Sequence, residues 1–482
     1  MKPKILIPLL FLFFTFSLIS CNDDDSPPSV SVNDFIWKAM NLWYYWQEDV
    51  PALSDNRFST EADYHNFLNS KQSDALFYSL LYDYGNTDRF SWIVNDYHDL
   101  QNSLAGIKKD FGMKYGLVYL SHNSNEILGY VRYVLPNTPA ESAGLKRGDI
   151  FIKINGQQLT DSNYSDLLGL DHATFGMGKI HNGQVVDLQQ EISLTKVIVE
   201  ENPVFLTKVF NKFDRKIGYL VYNGFRANYN TELNAAIGHL ASQGITDLIL
   251  DLRYNGGGAV QTSAYLGSMI TGNLTGQTFT HLKFNHKAAD NDQTFLFEDT
   301  GKTFDENFNE TGDFVLNHLN LNKLYVITTQ STASASEMLI HCLKPYIDVK
   351  VIGSRTYGKT VGSITLYDSP SSSYTSKNGV NTSHTWAMQP IVFGATNSQN
   401  FPSPVSGIQP DYDINELEYL NNFYPLGSEG DILLATTFNY IGNFGKPTLP
   451  DYPFEGEVLE PSRDLNAMES EMYLVGDFPL NP

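Results

Sequence analysis

Hydrophobic positions along this chain change their period twice, and the changes divide it into regions. From Val32 to about Ala105 the apolar residues fall near helical spacings: Phe35, Met40, Trp43 and Trp46, then Phe67, Leu68, Phe77, Leu80 and Leu81. Asn33-Asp34 and Ser73-Asp74 stand where helix caps are expected, so a small helical domain with an aromatic core is predicted. From about Gly106 to Ile198 short strands alternate with turns. A one-turn helix opens at Pro139 and closes at Gly144 in a left-handed cap, and a strand then leads into the Asn155-Gly156 turn. From Pro203 onward, continuous apolar runs alternate with helix-like segments. Ile217–Tyr222, Asp247–Leu252, Leu324–Thr328 and Val349–Gly353 read as buried strands, while Leu233–Leu240 and the stretch from Glu337 read as helices. This order predicts an α/β domain. Residues 272–320 are polar and turn-rich and read as an insertion over its functional face. Trp386–Val392 and Gly407–Tyr412 read as further strands, Asp431–Ile441 as a last helix, and the stretch beyond Gly445 as a tail.

The chemistry-bearing residues cluster at two strand exits. After Leu324–Thr328 the small residues Ala333, Ser334 and Ala335 make a sharp turn into a helix, which presents a hydroxyl beside backbone N–H groups that have no partner within the helix. Such donors suit the negative charge that develops on a carbonyl oxygen during acyl transfer. Ser334-x-x-Glu337 also fits a capping box, in which the serine would only satisfy the helix terminus. After Val349–Gly353 comes Tyr357-Gly358-Lys359, which can return a lysine to that serine. The glycines of Arg253-Tyr254-Asn255-Gly256-Gly257-Gly258 follow the strand Asp247–Leu252, without the G-K-[ST] or G-x-G-x-x-G spacing of a phosphate loop.

Thr332-Ala333-Ser334-Ala335-Ser336-Glu337, with Lys359 25 residues after Ser334, resembles the signature of the tail-specific, or C-terminal processing, serine peptidases of the S41 type. The resemblance implies that Ser334 is the nucleophile and Lys359 the base. Asp251-Leu252-Arg253-Tyr254-Asn255-Gly256-Gly257-Gly258 resembles an element of the same family whose amides contribute to an oxyanion hole. Gly257 and Ala335 are the expected donors, with Gly256 or Gly258 as neighbours. Gly407-Ile408-Gln409-Pro410-Asp411 resembles the segment that closes the peptidase domain. Many family members carry a glutamine four residues after the lysine; here that position is Ser363. The stretch from Asn137 to Gly156 resembles the core of a PDZ domain, which implies an extended peptide bound by strand addition near Phe111, Gly112, Met113, Lys114 and Tyr115. A lysine acting as base must be neutral. Its ordinary pKa of about 10.4 would have to fall by roughly three units, or about 4 kcal/mol, through desolvation.

Composition restricts the rest. Hydrophobic residues make up 42% of the 482, enough for packed cores. A net charge of −22 lacks the basic footprint of a nucleic-acid binder. Lys2 and Lys4, the apolar run Ile5–Leu18 and Cys21 read as a signal peptide, residues 1–20, with a lipobox. Cys21 would then carry lipid, anchoring the chain to a bacterial outer membrane on its periplasmic or outer face. Cys342 is left without a disulfide partner and reads as a small buried hydrophobe. No metal-ligating spacing occurs, and the reading requires no metal or organic cofactor. A Ser-His dyad through His341 is disfavoured, because seven positions along one helix amount to about 10 Å.

The expectation is therefore a multidomain α+β protein. Residues 21–31 form an acidic, Pro-containing linker, 32–105 a helical domain, 106–200 a PDZ domain, 201–445 an α/β serine peptidase domain and 446–482 a tail. Its partners would be protein or peptide substrates. The alternative is a non-hydrolytic ligand-binding or adaptor protein on the same fold.

Overall fold

The structure is a computed structural model that describes residues 28–121, 123–371, 373–445, 447–459, 471–476 and 478. The expected signal peptide, the acylated Cys21 and most of the linker lie outside the described residues.

The catalytic half is built on a six-stranded sheet. Its order is Val204–Lys212, Arg215–Tyr222, Asp247–Asp251, Lys323–Thr328, Asp348–Gly353 and Tyr412–Asp413. The first pair is antiparallel and every later pair parallel. The strands Asp247–Asp251 and Lys323–Thr328 are apolar in their interiors because helices cover both faces. Asn230–Ser242, Val260–Thr271 and Ala335–Leu343 pack in the main core on one face, and Ile432–Ile441 packs with Phe210, Tyr219 and Ile352 on the other. Successive parallel strands joined by right-handed crossovers carry their helices on one side, which is why the helix after Lys323–Thr328 lies beside the exit of Asp247–Asp251.

The helical region is less separate than expected. Phe35, Met40, Trp43 and Phe77 share one continuous core with the catalytic half, and Trp43 Nε1 donates to the Ser373 carbonyl at 2.6 Å. The first helix spans Pro28–Trp43, so Asn33 and Asp34 sit inside it instead of capping it. Asn33 Nδ2 is used across the domain, donating to the Leu68 and Lys71 carbonyls. The later helix, Ser73–Ser79, begins after Gln72, one residue earlier than a Ser73 cap would require.

The PDZ region is a sheet ordered Met113–Tyr119, Ile127–Val134, Ile150–Ile154, His172–His181 and Gln184–Thr195, with Gln157–Gln158 alongside Ile150–Ile154. The one-turn helix is Pro139–Ser142, with Gly144 at φ +79°, as the pattern predicts.

Two expectations change. Residues 272–320 are not a covering insertion. Thr278–Phe284 is an inner strand of a second sheet, with Phe279 and Leu282 fully buried, and Thr300–Phe304 pairs with Glu310–Val315 as a hairpin. Gly407–Tyr412 is strand only at its end, because Gly407 turns at φ +85° against the Thr356 carbonyl.

Candidate active site

Ser334 is the residue before the helix Ala335–Leu343 and holds φ +64°, ψ −120°, a backbone conformation that side chains rarely adopt. Its surroundings enforce the turn. The Ala333 N–H and the Ser336 hydroxyl both donate to the Asn255 carbonyl, and Asn255 Nδ2 is itself fixed on the Tyr222 carbonyl. Asn255 thus ties the serine turn to the ends of two neighbouring strands. Half of the capping box is closed, with Glu337 Oε2 accepting from the Ser334 N–H at 2.9 Å, while the Ser334 hydroxyl sits at the helix start without closing a hydrogen bond. A fully buried hydroxyl without a partner is costly, and it reads as a group held for a reaction.

Glu337 does more than cap the helix. Its Oε2 also accepts the Lys359 N–H at 2.9 Å, while Oε1 accepts the Gly358 N–H at 2.8 Å and the Thr356 hydroxyl. One carboxylate oxygen therefore binds the main chains of both Ser334 and Lys359. Burial pushes the Glu337 pKa up, and these donors oppose the shift.

Lys359 is 1% exposed, and burial holds its amine below the ordinary range; the carboxylate of Glu471 works against that shift. The amine lies 5.0 Å from the centre of the Phe90 ring and donates to Glu471 Oε2 at 3.3 Å. Ser363 Oγ donates to the same oxygen at 3.3 Å, and Trp92 Nε1 donates to Oε1 at 2.9 Å. Burial raises the Glu471 pKa, and Lys359 opposes the rise. The desolvation that a neutral lysine requires is supplied in part from the N-terminal region, where Phe90 faces the amine and Trp92 holds the other oxygen of Glu471.

The glycines lie against the serine. A methyl group on Gly257 would stand 2.6 Å from Ser334 Cβ and 2.9 Å from Oγ. The Gly257 N–H is bonded to Asn255 Oδ1 at 2.9 Å, whereas the Gly258 N–H points outward and donates to the Glu471 carbonyl at 2.5 Å. Ala335 supplies the first amide of the helix that follows Ser334.

Phe111, Gly112 and Met113 form the turn into the edge strand Met113–Tyr119, which continues through Lys114 and Tyr115. Phe111 is buried against Phe175, and its carbonyl accepts the Ala140 N–H. One cleft of about 980 Å³ runs from Phe111, Met113 and Lys114 to Gly257, Lys359 and Glu471, so the PDZ edge and the lysine share an opening, while Ser334 lies fully buried behind it. None of residues 272–320 lines it.

Behind the site, buried ion pairs join the modules. Arg253 pairs with Asp251 at 2.6 Å and with Asp431 at 2.7 Å, and Arg147 of the PDZ region reaches Glu416 at 2.9 Å and Tyr254 at 2.6 Å. Cys342 is buried, and its thiol is pushed up to about 12. No group of His, Cys, Asp and Glu among the described residues could hold a metal ion.

Glu471, Trp92 and Phe90 were invisible to sequence reasoning, since each lies in a segment with no motif. The glycine-loop motif did contain Asn255, but not its role.

A largely parallel α/β sheet with Ser334 and Lys359 buried beyond the exits of two neighbouring strands, and a PDZ-like module beside it, defines the class of protein. Residues 216–414 match the model of peptidase family S41, 31–92 that of the peptidase S41 N-terminal domain, and 130–170 a PDZ domain. The chain thus carries a peptidase family S41 domain together with the N-terminal domain of that family. It is 27% identical over 234 residues to a carboxyl-terminal-processing protease of Picosynechococcus sp., covering 47% of this chain and 49% of that one. It is 25% identical over 271 residues to a protein of the same name from Synechocystis sp., covering 55% and 56%. The chain thus spans about half the length of these curated relatives. A crystallised protein of Bacteroides fragilis assigned to the S41 proteases shares the fold with a TM-score of 0.65 and 24% identity, over 87% of this chain and 99% of that one.

Proposed function

We propose that this protein is a serine endopeptidase in which Ser334 and Lys359 form a catalytic dyad. The observation that carries the reading is the Glu337 clasp, which binds the main chains of both residues through one oxygen while Lys359 stays buried and Ser334 Oγ stays without a partner. Neutral Lys359 takes the proton from Ser334 Oγ, which attacks the peptide carbonyl. The Gly258 and Ala335 amides receive the negative charge on the carbonyl oxygen. Lys359 then delivers the proton to the leaving amine, and water resolves the acyl-enzyme. Gly257 serves by its lack of a side chain, since its N–H is held by Asn255. Substrates are protein or peptide tails that add to the edge strand Met113–Tyr119, with Phe111–Tyr115 as the cradle, a reading that rests on PDZ analogy.

Casein digestion by the wild type beside Ser334→Ala tests the reading. Loss in the variant is expected, together with loss of fluorophosphonate labelling in Lys359→Ala. Digestion that survives Ser334→Ala overturns it. The contact of Lys359 with Glu471 favours a second reading, a peptide-binding protein without hydrolysis, and unlabelled wild type with tight peptide binding would select that one. The proposal includes a lipid anchor at Cys21 and an extracytoplasmic location, periplasmic or surface-facing. Incorporation of a palmitate analogue that is lost in Cys21→Ala tests the anchor.

A further inference from the structure

The stretch after the last helix has no assigned role, yet two parts of it sit in the places a substrate would need. Glu457–Leu459 adds to the free edge of the PDZ strand Met113–Tyr119. The Tyr119 N–H donates to the Glu457 carbonyl at 2.8 Å and the Leu459 N–H to the Leu117 carbonyl at 3.0 Å, with Val118 opposite Val458 in antiparallel register. The added strand runs toward Phe111 and Met113, and Leu459 is buried among the apolar residues of the PDZ core. This is recognition by strand addition, carried out within one chain.

In the catalytic region the segment from Glu471 supplies Met472–Tyr473 as a strand inserted between Gly258–Ala259 and Val361–Ser363. Met472 and Tyr473 pair in parallel with Gly258 and Ala259, and Tyr473 also pairs with Ser363. The Glu471 carbonyl occupies the Gly258 N–H. A methyl group on Gly257 would meet that carbonyl oxygen at 2.4 Å and Ser334 Oγ at 2.9 Å, so hydroxyl and carbonyl are close neighbours. The Glu471 carboxylate meanwhile engages Lys359, Ser363 and Trp92. Ser334 is completely buried in this arrangement.

We propose that Glu457–Leu459 and Glu471–Leu474 are a tethered ligand of the chain's own peptide groove, and that they hold the enzyme in a resting state until a client peptide displaces them. Occupancy at either end excludes a substrate strand, and the Glu471 carboxylate engages the Lys359 amine that the proposed dyad needs. Each short contact is weak alone. Joined by one chain, each raises the effective concentration of the other, so releasing the PDZ end also loosens the catalytic end. The inhibitory consequence rests on the hydrolase reading, whereas the occupancy does not.

The test uses the full chain as wild type, Leu459→Asp and Glu471→Gln, with a synthetic peptide of residues 455–476 as competitor. Hydrogen exchange in the wild type should protect the amides of Leu459, Leu474 and Gly258, and Leu459→Asp should lose that protection. Fluorophosphonate labelling of Ser334 should quicken by about tenfold in Leu459→Asp, the equivalent of roughly 1.4 kcal/mol of released contact. The added peptide should restore the slow rate. Glu471→Gln preserves shape and guards against Leu459→Asp failing to fold; it should also label faster, with a fall in KM for a tailed peptide. Unprotected amides at 457–459 and 471–474 in the wild type would overturn the tethered ligand. Protection with no faster labelling in either variant would overturn the resting state. Protection and peptide competition without labelling in any form would support the occupancy and remove the hydrolase reading instead.

Discussion

Replacing Glu337 by glutamine keeps the side chain's shape while removing its charge and one of its two acceptors. In the wild type two oxygens receive four donors: the N–H groups of Ser334 and Lys359 on one, the Gly358 N–H and the Thr356 hydroxyl on the other. With its amide nitrogen at the Oε2 position, the glutamine faces the N–H groups of Ser334 and Lys359 and accepts from neither; at the other position it faces the Gly358 N–H and the Thr356 hydroxyl, which can turn to accept from it. One or two hydrogen bonds to a charged group are lost, each worth about 1.5–3 kcal/mol, giving roughly 1.5–6 kcal/mol of destabilisation. At about 2–4 °C per kcal/mol for a unit of this size, the melting temperature should fall by roughly 3–24 °C. Because the clasp sets the strained Ser334 turn against the lysine strand, serine labelling should also fall at temperatures where Glu337→Gln is still folded. Thermal melting by circular dichroism and fluorophosphonate labelling at 15 °C measure the two effects. A variant that melts within a degree of the wild type and labels at the same rate would refute the role given to Glu337.

Other outcomes follow from the same geometry. Ser334 labelling should rise with pH through the titration of Lys359, whose midpoint lies below 10.5 because burial favours the neutral amine. In Glu471→Gln the opposing carboxylate charge is gone, so the midpoint should move to lower pH, and a pH–rate profile that moves upward would contradict the assignment. The unfolded chain binds the Lys359 proton more readily than the folded one, so this group's contribution to stability should increase as pH climbs from its folded pKa toward 10.5, as urea unfolding across that range would detect. Gly257→Ala would place a Cβ 2.4 Å from the Glu471 carbonyl oxygen and 2.6 Å from Ser334 Cβ at φ +115°, so the Ser334 turn must shift and casein turnover should drop by about a hundredfold, the scale of misplacing a reacting group by about 1 Å. Arg253→Met leaves Asp431 and Glu416 to Arg147 and takes from Asp251 its guanidinium partner, and urea unfolding should reveal a loss of about 3–5 kcal/mol.

The elements that could be read from the chain are those whose cause is local. The run Lys323–Thr328, the small residues at 333–335 and Glu337 three places after Ser334 define a strand, a turn and a helix with little help from elsewhere. The lysine was legible for a related reason: its strand, Asp348–Gly353, neighbours the serine's strand in parallel, so two adjacent strand exits deliver two side chains to one edge of the sheet. Pro139, Gly144 and the Asn155-Gly156 turn announced a one-turn helix and a tight turn by backbone chemistry alone, and their resemblance to a PDZ core supplied the rest. Even so, local signals misplaced the first helix start, because Asn33 serves a distant carbonyl instead of its own helix.

Tertiary structure decided what surrounds the amine and what fills the groove. Phe90 and Trp92 precede Lys359 by more than 260 residues, and Glu471 follows it by 112, so no spacing rule connects them. Ser363 stands where many family members carry a glutamine, and only the folded chain brings Glu471 into contact with both Ser363 and Lys359. The final stretch looked like a featureless tail because adding a strand depends on an edge being open, and an open edge belongs to an assembled sheet and not to the segment that joins it.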